Sequence, residues 1–351
     1  MSPLDNPALP KGSIVLITGA NGNLGSHISD QFLHYGYKVR AAVRDIEKNA
    51  WLAELFEKSY GKGVFELVRI PDLTADGAFD EAIKGVGAVV HTASVVSFSP
   101  DPNIVVTGSI ALVLSALKAA YATDSVKRFV FTSSSSAAAL SHPNIPATTV
   151  TEESWCEYAV QQAWADPPYT PERAGMVYAA SKVQSEQAVW KFQKENAEKR
   201  PDLVVNSILP NFLYGKILDP VHQGSQGSGS FIPSLYKGEI SPMLSWVVRQ
   251  YYVNIQDAAR LHFIAATFPE VKQQRIFAFG GRFSFDKIID ILKEQNPGRT
   301  FPDHFSGGED PNEIPPAKKA EKLLQELGRP GYISLEDTVA DNVAHLRSGT
   351  A

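Results

Sequence analysis

The eight residues TGANGNLG, numbered 18–25, lie between an apolar segment, SIVLI, and a helical pattern that continues as SHISDQFLHYG. Gly19, Gly22 and Gly25 are three residues apart, a spacing that is weak evidence when it stands alone. Here the glycines lie between a strand and a helix, where they allow a tight turn and close approach of backbone N–H groups to a pyrophosphate. The motif therefore predicts a dinucleotide-binding site rather than a plain turn.

Around this loop, short β-branched segments alternate with longer helical patterns. Strands are predicted at 13–18, 38–44, 64–70, 87–93 and 128–134, and helices at 24–36, 50–60, 77–85 and 103–122. Such alternation is typical of βαβ units. The predicted fold class is α/β: a doubly wound parallel sheet (Rossmann) with strands buried on both faces, and a smaller, mostly C-terminal substrate-binding lobe.

The second half of the chain is less regular. Five prolines interrupt residues 141–175, which we interpret as an irregular excursion over one end of the sheet. We predict a nucleotide-binding domain over 1–206, to which 250–280 also returns. The substrate-binding lobe is predicted to comprise 207–249 and 281–351.

The end of the second predicted strand indicates which dinucleotide is bound. An Asp or Glu there would select the ribose 2′-hydroxyl of NAD. Val43 takes the place of that acid, and the adjacent Arg44 can pair with a 2′-phosphate and stack on adenine. NADP (NADPH) is therefore the predicted cofactor. The alternative is that Arg44 is a solvated charge and that Asp45 reads the ribose of NAD.

Two motifs later in the chain suit acid–base chemistry. Tyr178 and Lys182 are four residues apart at the start of a predicted helix and therefore share one face. An ammonium beside a phenol favours the phenolate, which suits Tyr178 to act as a general acid or base. The stretch FTSSSSAAAL (131–140) places four serines directly after a predicted strand, and one of them is a candidate partner for the tyrosine.

Taken together, these motifs resemble those of the extended short-chain dehydrogenase/reductases. The resemblance rests on TGANGNLG, HTAS (91–94), FTSS (131–134) and YAASK (178–182), and it extends from about residue 12 to about residue 345. Within that family the chain looks most like the dihydroflavonol reductase-like branch of fungal aldehyde, ketone and methylglyoxal reductases. The segments similar to that branch are VRAAVRD (39–45), PDL (71–73), TEESW (151–155), YVNIQDAA (252–259) and GYISLEDTVADNV (331–343).

The resemblance implies a role for individual residues. Tyr178 would give a proton to a substrate carbonyl, Lys182 would assist it and hold the nicotinamide ribose, and Ser134 would bond the carbonyl oxygen. Ser135 is the alternative to Ser134, because a shift of one residue at a strand end turns the side chain the other way. The cofactor-binding residues implied are Gly19, Asn21, Gly22, Asn23, Leu24, Gly25, Arg44, Asp72, Leu73, Thr92, Ala93, Ser94, Tyr178, Lys182, Pro210 and Asn211. Ser228, in the Gly/Ser-rich stretch 222–230, is predicted to touch the cofactor if that stretch closes as a flap.

The chain departs from this branch at one helix. Many of its members have an asparagine in the helix that here reads VVTGSIAL (105–112), where the asparagine takes part in a proton relay. This stretch contains no asparagine. A relay in this protein must therefore take another route.

Apolar and aromatic residues after the predicted strands are candidates for a substrate pocket, which would suit an apolar or aryl carbonyl compound. They are Val96, Phe98, Phe212, Tyr214, Phe231 and Trp246, and each could equally belong to the core. The predicted function is NADPH-dependent reduction of an aldehyde or ketone to an alcohol, with Tyr178 as the proton donor. Two alternatives stay open: an NAD-dependent sugar-nucleotide epimerase or dehydratase of the same fold, and a non-enzymatic NADP-sensing regulator.

Composition and charge favour a small-molecule partner. The net charge of −5 gives no sign of a nucleic-acid or anionic-membrane partner. The eight histidines lack a paired metal-ligand spacing, so no metal is predicted, and His91 is expected to pack rather than to catalyse. With Cys156 as its single cysteine and no signal-peptide pattern, the protein is predicted to be cytoplasmic. It is expected to be a monomer or a homodimer. The apolar stretch 110–122, interrupted by Ser115 and Lys118, is predicted to be too short to span a bilayer.

Overall fold

The computed structural model describes residues 3–95, 97, 99–141, 145–225, 227–240, 244, 247 and 249–347. The strands within these residues are β1 (Ile14–Thr18), β2 (Lys38–Val43), β3 (Phe65–Arg69), β4 (Val86–His91), β5 (Arg128–Thr132), β6 (Val204–Pro210), β7 (Phe212–Tyr214), β8 (Arg249–Asn254), β9 (Arg275–Ala278) and β10 (Gly281–Ser284). Seven of them form a parallel sheet in the order β3-β2-β1-β4-β5-β6-β9. The order reverses between β1 and β4, and sheets of this kind bind ligands outside the carboxyl ends of the strands at such a point.

Helices cover both faces of this sheet. Within the same residues they are α1 (Asn23–His34), α2 (Ala50–Tyr60), α3 (Pro102–Ala122), α4 (Glu157–Ala163), α5 (Ala174–Asn196), α6 (Pro220–Gln223), α7 (Phe231–Tyr236), α8 (Ile255–Thr267), α9 (Phe285–Gln295), α10 (Ala317–Glu326), α11 (Leu335–Asn342) and α12 (Ala344–Arg347). The core that contains α1, α2 and α8 includes Val15 and Ile17, whereas the core that contains α3 and α5 includes Leu16. Strand β1 is therefore buried on both sides, and the predicted doubly wound parallel sheet is confirmed.

A second, smaller sheet has the order β10-β8-β7. Strand β8 pairs parallel to β7 and antiparallel to β10, and a third core lies between this sheet and helices α7, α9 and α11. The segment 250–280 contributes to both sheets. Its first strand, β8, belongs to the small sheet, whereas α8 packs against α1 and β9 forms an edge of the large sheet.

The structure differs from the predicted elements over residues 77–85. Residues 77–85 form separate turns instead of the predicted helix, because Gly77 adopts a positive φ of 70° and each hydrogen bond, such as Asp80 N to Gly77 O, closes only one turn. Helix α3 matches the helix predicted at 103–122, but its 21 residues exceed the apolar stretch 110–122 that was predicted to be too short to span a bilayer. By length and composition alone α3 could cross a membrane; in this fold it packs along α5, with a third of its most apolar window buried.

Candidate active site

The phosphate loop brings backbone groups together at the switch point. Gly19 has a φ of 68°, and a Cβ at this residue would lie 2.8 Å from Thr92 Oγ1. A Cβ at Gly25 would lie 2.2 Å from the carbonyl oxygen of Gly19, so a side chain cannot be accommodated there without a shift of the backbone. Gly22 precedes α1 and supplies no side chain to cap it. The first N–H groups of α1 are therefore left for an anion, and the pyrophosphate of a dinucleotide fits them.

Two asparagines in this loop support the same interpretation. Asn21 Nδ2 donates to Asn49 Oδ1 at 2.9 Å, which ties the loop to the start of α2. Asn23 Oδ1 is buried and has no hydrogen-bond partner among the residues that the structure describes. A buried polar atom is costly when it is unpaired, so it is suited to meet a ligand. Leu24 is half-buried against the core beside α1.

The corner at the end of β2 carries positive charge. Arg44 is exposed, and within the part of the chain described above it makes no ion pair or hydrogen bond. Asp45 is engaged locally: its Oδ1 accepts from Lys48 N at 3.1 Å and its Oδ2 lies 3.8 Å from Lys48 Nζ. Lys48, which the sequence analysis did not consider, adds a second cation to this corner. Two cations beside an engaged Asp45 favour the 2′-phosphate of NADP over the ribose 2′-hydroxyl of NAD, which Asp45 would have to bind.

The next two strand ends complete the predicted adenosine side. Asp72 accepts hydrogen bonds from Thr74 Oγ1 at 2.6 Å and from Thr74 N at 2.8 Å, and these bonds hold the pKa of Asp72 below its usual range. Leu73 is half-buried against the core that contains α3. Thr92 Oγ1 donates to the carbonyl oxygen of Thr18 at 2.6 Å, which holds the loop after β4 against the end of β1.

His91, at the end of β4, is fully buried at this junction. Its Nδ1 lies 3.0 Å from Thr18 Oγ1, and Ala93 N donates to the same hydroxyl at 3.2 Å. Burial, assisted by the charge of Lys182, lowers the pKa of His91 to about 3. The imidazole is therefore neutral at physiological pH, and its near-parallel contacts with the rings of Phe129 and Phe131 suit the packing role that was predicted.

Helix α5 carries the two residues of the predicted acid–base pair. Tyr178 is 36% exposed, whereas Lys182, one turn further on, is buried. Lys182 Nζ lies 5.8 Å from the centre of the Tyr178 ring and donates to Ser94 Oγ at 3.2 Å. The ammonium is thus held between the tyrosine and the loop after β4, at the end of the sheet where the phosphate loop also lies.

The serines after β5 have distinct partners. Ser133 is buried and donates to Glu186 Oε2 at 2.7 Å. Ser134 accepts from Ser136 Oγ at 2.9 Å and from Ser136 N at 3.3 Å. Because Ser134 is the acceptor in both contacts, its own hydroxyl proton remains available to donate to a carbonyl oxygen.

Ser135 lines a narrow crevice instead. Asn211, which follows β6 directly after Pro210, lines the same crevice together with residues of the 310–314 segment. The side chain of Asn211 is partly engaged, because its Oδ1 accepts from Phe212 N at 2.8 Å. Ser135 and Asn211 therefore come together beside Ser134, and the choice between the two serines stays a prediction.

The predicted substrate residues lie in different environments. Tyr214 is 1% exposed and packs against Phe212 and Phe283, so it belongs to the core of the smaller lobe and cannot reach a ligand without movement. Phe231 is also buried in that core, whereas Phe212 is half-buried at its edge. Ser228, predicted to touch the cofactor, uses its hydroxyl to donate to Leu213 O at 3.1 Å. Val96, Phe98 and Trp246 lie outside the described residues.

Glu186 is a functional candidate that the sequence analysis missed. It is fully buried on α5, one turn after Lys182, and forms an ion pair with Arg275 at 2.9 Å. It also accepts hydrogen bonds from Ser133, from Ser207 at 2.6 Å and from Trp190 at 3.2 Å. The only available signal was its place four residues after Lys182 on the same helix face. Among the described residues, no group of three His, Cys, Asp or Glu could hold a metal ion.

Comparison with known proteins points to one family. The profile of the NAD dependent epimerase/dehydratase family matches residues 15–280. The chain is 40% identical over 344 residues to Aldehyde reductase 2 of Sporidiobolus salmonicolor, covering 98% of both chains. It is 38% identical to the ketoreductase nvfG of Aspergillus novofumigatus, covering 95% of this chain and 97% of that relative.

A solved reductase structure has a similar fold. The crystal structure of the yeast methylglyoxal/isovaleraldehyde reductase Gre2 complexed with NADPH matches with a TM-score of 0.79 and 26% identity, covering 96% of this chain and 100% of that one. The family profile includes the phosphate loop, the serine run and the Tyr178–Lys182 pair. The chain therefore belongs to the NAD dependent epimerase/dehydratase family, among its extended short-chain dehydrogenase/reductases.

Proposed function

We propose that the protein is an NADPH-dependent carbonyl reductase, which converts an aldehyde or ketone to the corresponding alcohol. The observation that carries this proposal is the contact of Lys182 with Tyr178 at the sheet end that also bears the phosphate loop and Ser134. The relatives named aldehyde reductase and ketoreductase support the same reaction class.

The residues of the chain have separate tasks in this reaction. NADPH, when bound, supplies the hydride. The N–H groups at the start of α1 hold the pyrophosphate, and Arg44 with Lys48 holds the 2′-phosphate. Ser134 donates its free hydroxyl proton in a hydrogen bond to the substrate oxygen, where negative charge develops. Tyr178 transfers a proton to that oxygen, and the Lys182 ammonium stabilises the phenolate that remains.

The substrate is proposed to be apolar or aryl, because Phe212, at the edge of the smaller lobe, directly follows Asn211 of the predicted cofactor site. We further propose a cytosolic protein that acts as a monomer or homodimer, without a nucleic-acid or membrane partner. The net charge of −5 supports the absence of a nucleic-acid or anionic-membrane partner, and the single buried cysteine, Cys156, supports a reducing compartment.

An NAD-dependent epimerase or dehydratase of the same fold is less well supported. Such an enzyme needs further acid–base groups beside the serine, whereas Ser134 is followed by two serines and three alanines. A non-enzymatic NADP sensor would not need the Lys182–Tyr178 contact. Retention of NAD through purification, or NADPH binding without turnover of any carbonyl, would favour these alternatives in turn.

Substitution of the tyrosine tests the proposal directly. Purified Tyr178→Phe is assayed for NADPH oxidation with a panel of aryl and alkyl aldehydes and ketones, beside wild type. Loss of the proton donor should lower kcat by about 100-fold or more. Tyr158→Phe is the matched control, since Tyr158 is an exposed tyrosine on α4. Near-normal turnover in Tyr178→Phe would refute the mechanism.

A further inference from the structure

Residues 216–224, here called the strap, run from a contact with α1 to contacts with the start of α2 and with the phosphate loop. The strap begins against α1, where His27 Nε2 lies 2.8 Å from the carbonyl oxygen of Lys216. It contains the short helix α6, and it ends at Gly224, whose φ of 59° turns the chain away. Its path passes the elements that hold a dinucleotide.

Gln223 fastens the strap to the phosphate loop. Its Nε2 donates to Ser26 Oγ at 2.9 Å and lies 3.4 Å from the carbonyl oxygen of Asn21, while its Oε1 accepts from Asp219 N at 3.1 Å. Gln223 is buried, so both ends of its amide are satisfied inside the protein. The strap is thus hydrogen-bonded to the loop that is proposed to hold the pyrophosphate.

His222 fastens the strap to α2. Its ring stacks on Trp51 with 5.1 Å between ring centres and an angle of 1° between ring planes. Asp219 holds the imidazole at its edge, with Oδ1 3.0 Å from His222 Nδ1, and the same oxygen caps α6. Both the face and the edge of the His222 ring therefore have a partner. Trp51 lies two residues after Asn49, whose Nδ2 donates to the carbonyl oxygen of Asp45 at 2.6 Å, so the pair adjoins the segment that follows Arg44.

We infer that the strap retains the bound dinucleotide and that the Trp51–His222 stack is its latch. The inference rests on the dinucleotide site proposed above and not on the reaction. The adjacent residues His222 and Gln223 hold the end of the strap against the start of α2 and against the phosphate loop, where the pyrophosphate is proposed to bind. Movement of the strap would open this side of the dinucleotide site, so loss of the latch shortens the residence time of the dinucleotide.

The test measures dissociation of NADPH. Protein loaded with NADPH is mixed with excess NADP in a stopped-flow fluorimeter, and the decay of bound NADPH fluorescence gives the dissociation rate. Trp51→Ala and His222→Ala each remove the stacked pair, and each should raise the dissociation rate by about 2- to 10-fold. His222→Phe keeps a stacking ring and should restore slow dissociation.

The controls separate the latch from other effects. His34→Ala removes another histidine–aromatic contact, the edge-to-face contact of His34 with Tyr35 at 4.9 Å between ring centres. His34 is the last residue of α1, about 16 Å from the first, so this variant should leave dissociation unchanged. The double variant should dissociate no faster than the faster single variant, because both changes remove one interaction. Thermal melts without cofactor establish that each variant is folded.

Two results would overturn the inference. Dissociation from His222→Ala at the wild-type rate would mean that the strap does not retain the cofactor. Faster dissociation in Trp51→Ala alone would mean that the tryptophan contacts the cofactor itself. A wild-type protein that binds NADPH but reduces no carbonyl refutes the proposed function and leaves this measurement valid.

Discussion

The run of four serines yields a prediction in which two neighbouring substitutions have opposite effects. Ser133 donates to the buried carboxylate of Glu186 at 2.7 Å, whereas Ser134 retains a hydroxyl proton for the substrate. Ser133→Ala should therefore lower stability and spare catalysis. Ser134→Ala should lower kcat and spare stability.

The magnitudes follow from the contacts. A hydrogen bond to a charged, buried group contributes about 1.5–3 kcal/mol, so Ser133→Ala should lower the free energy of unfolding by that amount. In a chain of this size each kcal/mol moves Tm by about 2 °C, which predicts a fall of about 3–6 °C. Loss of one donor to a developing oxyanion lowers kcat by about 100- to 1000-fold, which is the expectation for Ser134→Ala.

The assay pairs calorimetry with steady-state NADPH oxidation for Ser133→Ala, Ser134→Ala and Ser135→Ala. The reasoning fails if Ser133→Ala loses as much activity as Ser134→Ala while its Tm is unchanged. If Ser135→Ala loses activity and Ser134→Ala keeps it, the catalytic role passes to Ser135. A normal Tm in Ser133→Ala would show that its bond to Glu186 contributes little.

Three further predictions concern the cofactor and the core. Arg44→Ala should lower the preference for NADPH over NADH, measured as the ratio of the two kcat/KM values, by about 10- to 100-fold, because a charge-assisted hydrogen bond is lost. An unchanged ratio would mean that Arg44 does not contact the cofactor. Gly25→Ala places a methyl group 2.2 Å from the Gly19 oxygen and should weaken NADPH binding by about 10-fold or more in calorimetric titration; normal affinity would contradict the pyrophosphate assignment. Burial lowers the pKa of His27 and of His262 to about 4, so the folded protein binds fewer protons than the unfolded chain between that value and 6.5. The free energy of unfolding should therefore fall by a few kcal/mol from pH 7 to pH 4, and urea titrations with no such trend would refute it.

The sequence predicts best the features that lie within one strand and its adjoining helix. The glycine loop and the Tyr178–Lys182 pair are of this kind, because strand–loop–helix order and helical spacing already bring their atoms together. The parallel sheet follows in the same way from alternation of its elements. Side-chain burial is harder to predict: Tyr214 alternates like a strand residue, but its burial depends on the helices that cover the small sheet.

Contacts between distant segments could not be read from the sequence. Gln223 and Ser26 are 197 positions apart, and Glu186 and Arg275 are 89 apart. Each pair depends on how strand order and the strap bring separate elements together, and no local spacing encodes that. The helix predicted over 77–85 failed for a related reason, since its composition suits a helix but Gly77 starts a series of turns.

Glu186 shows how such a distant contact bears on the catalytic geometry. Tyr178 and Lys182 precede it on α5 by two turns and one turn, and Ser133 connects it to the strand end that carries Ser134. Arg275 comes from β9 and Ser207 from β6, so the carboxylate connects α5 to the end of β5, to β6 and to β9, and Arg275 also stacks on Trp155 of the excursion. Burying a charge is costly, and apolar side chains of similar volume often stabilise a fold as well or better. A directional carboxylate with four bonding partners, however, fixes the helix relative to the strand end, and it keeps three of these partners when Ser133 alone is replaced. The geometry of proton transfer, in which errors near 1 Å cost rate, is therefore held by the set of bonds and not by the Ser133 bond alone.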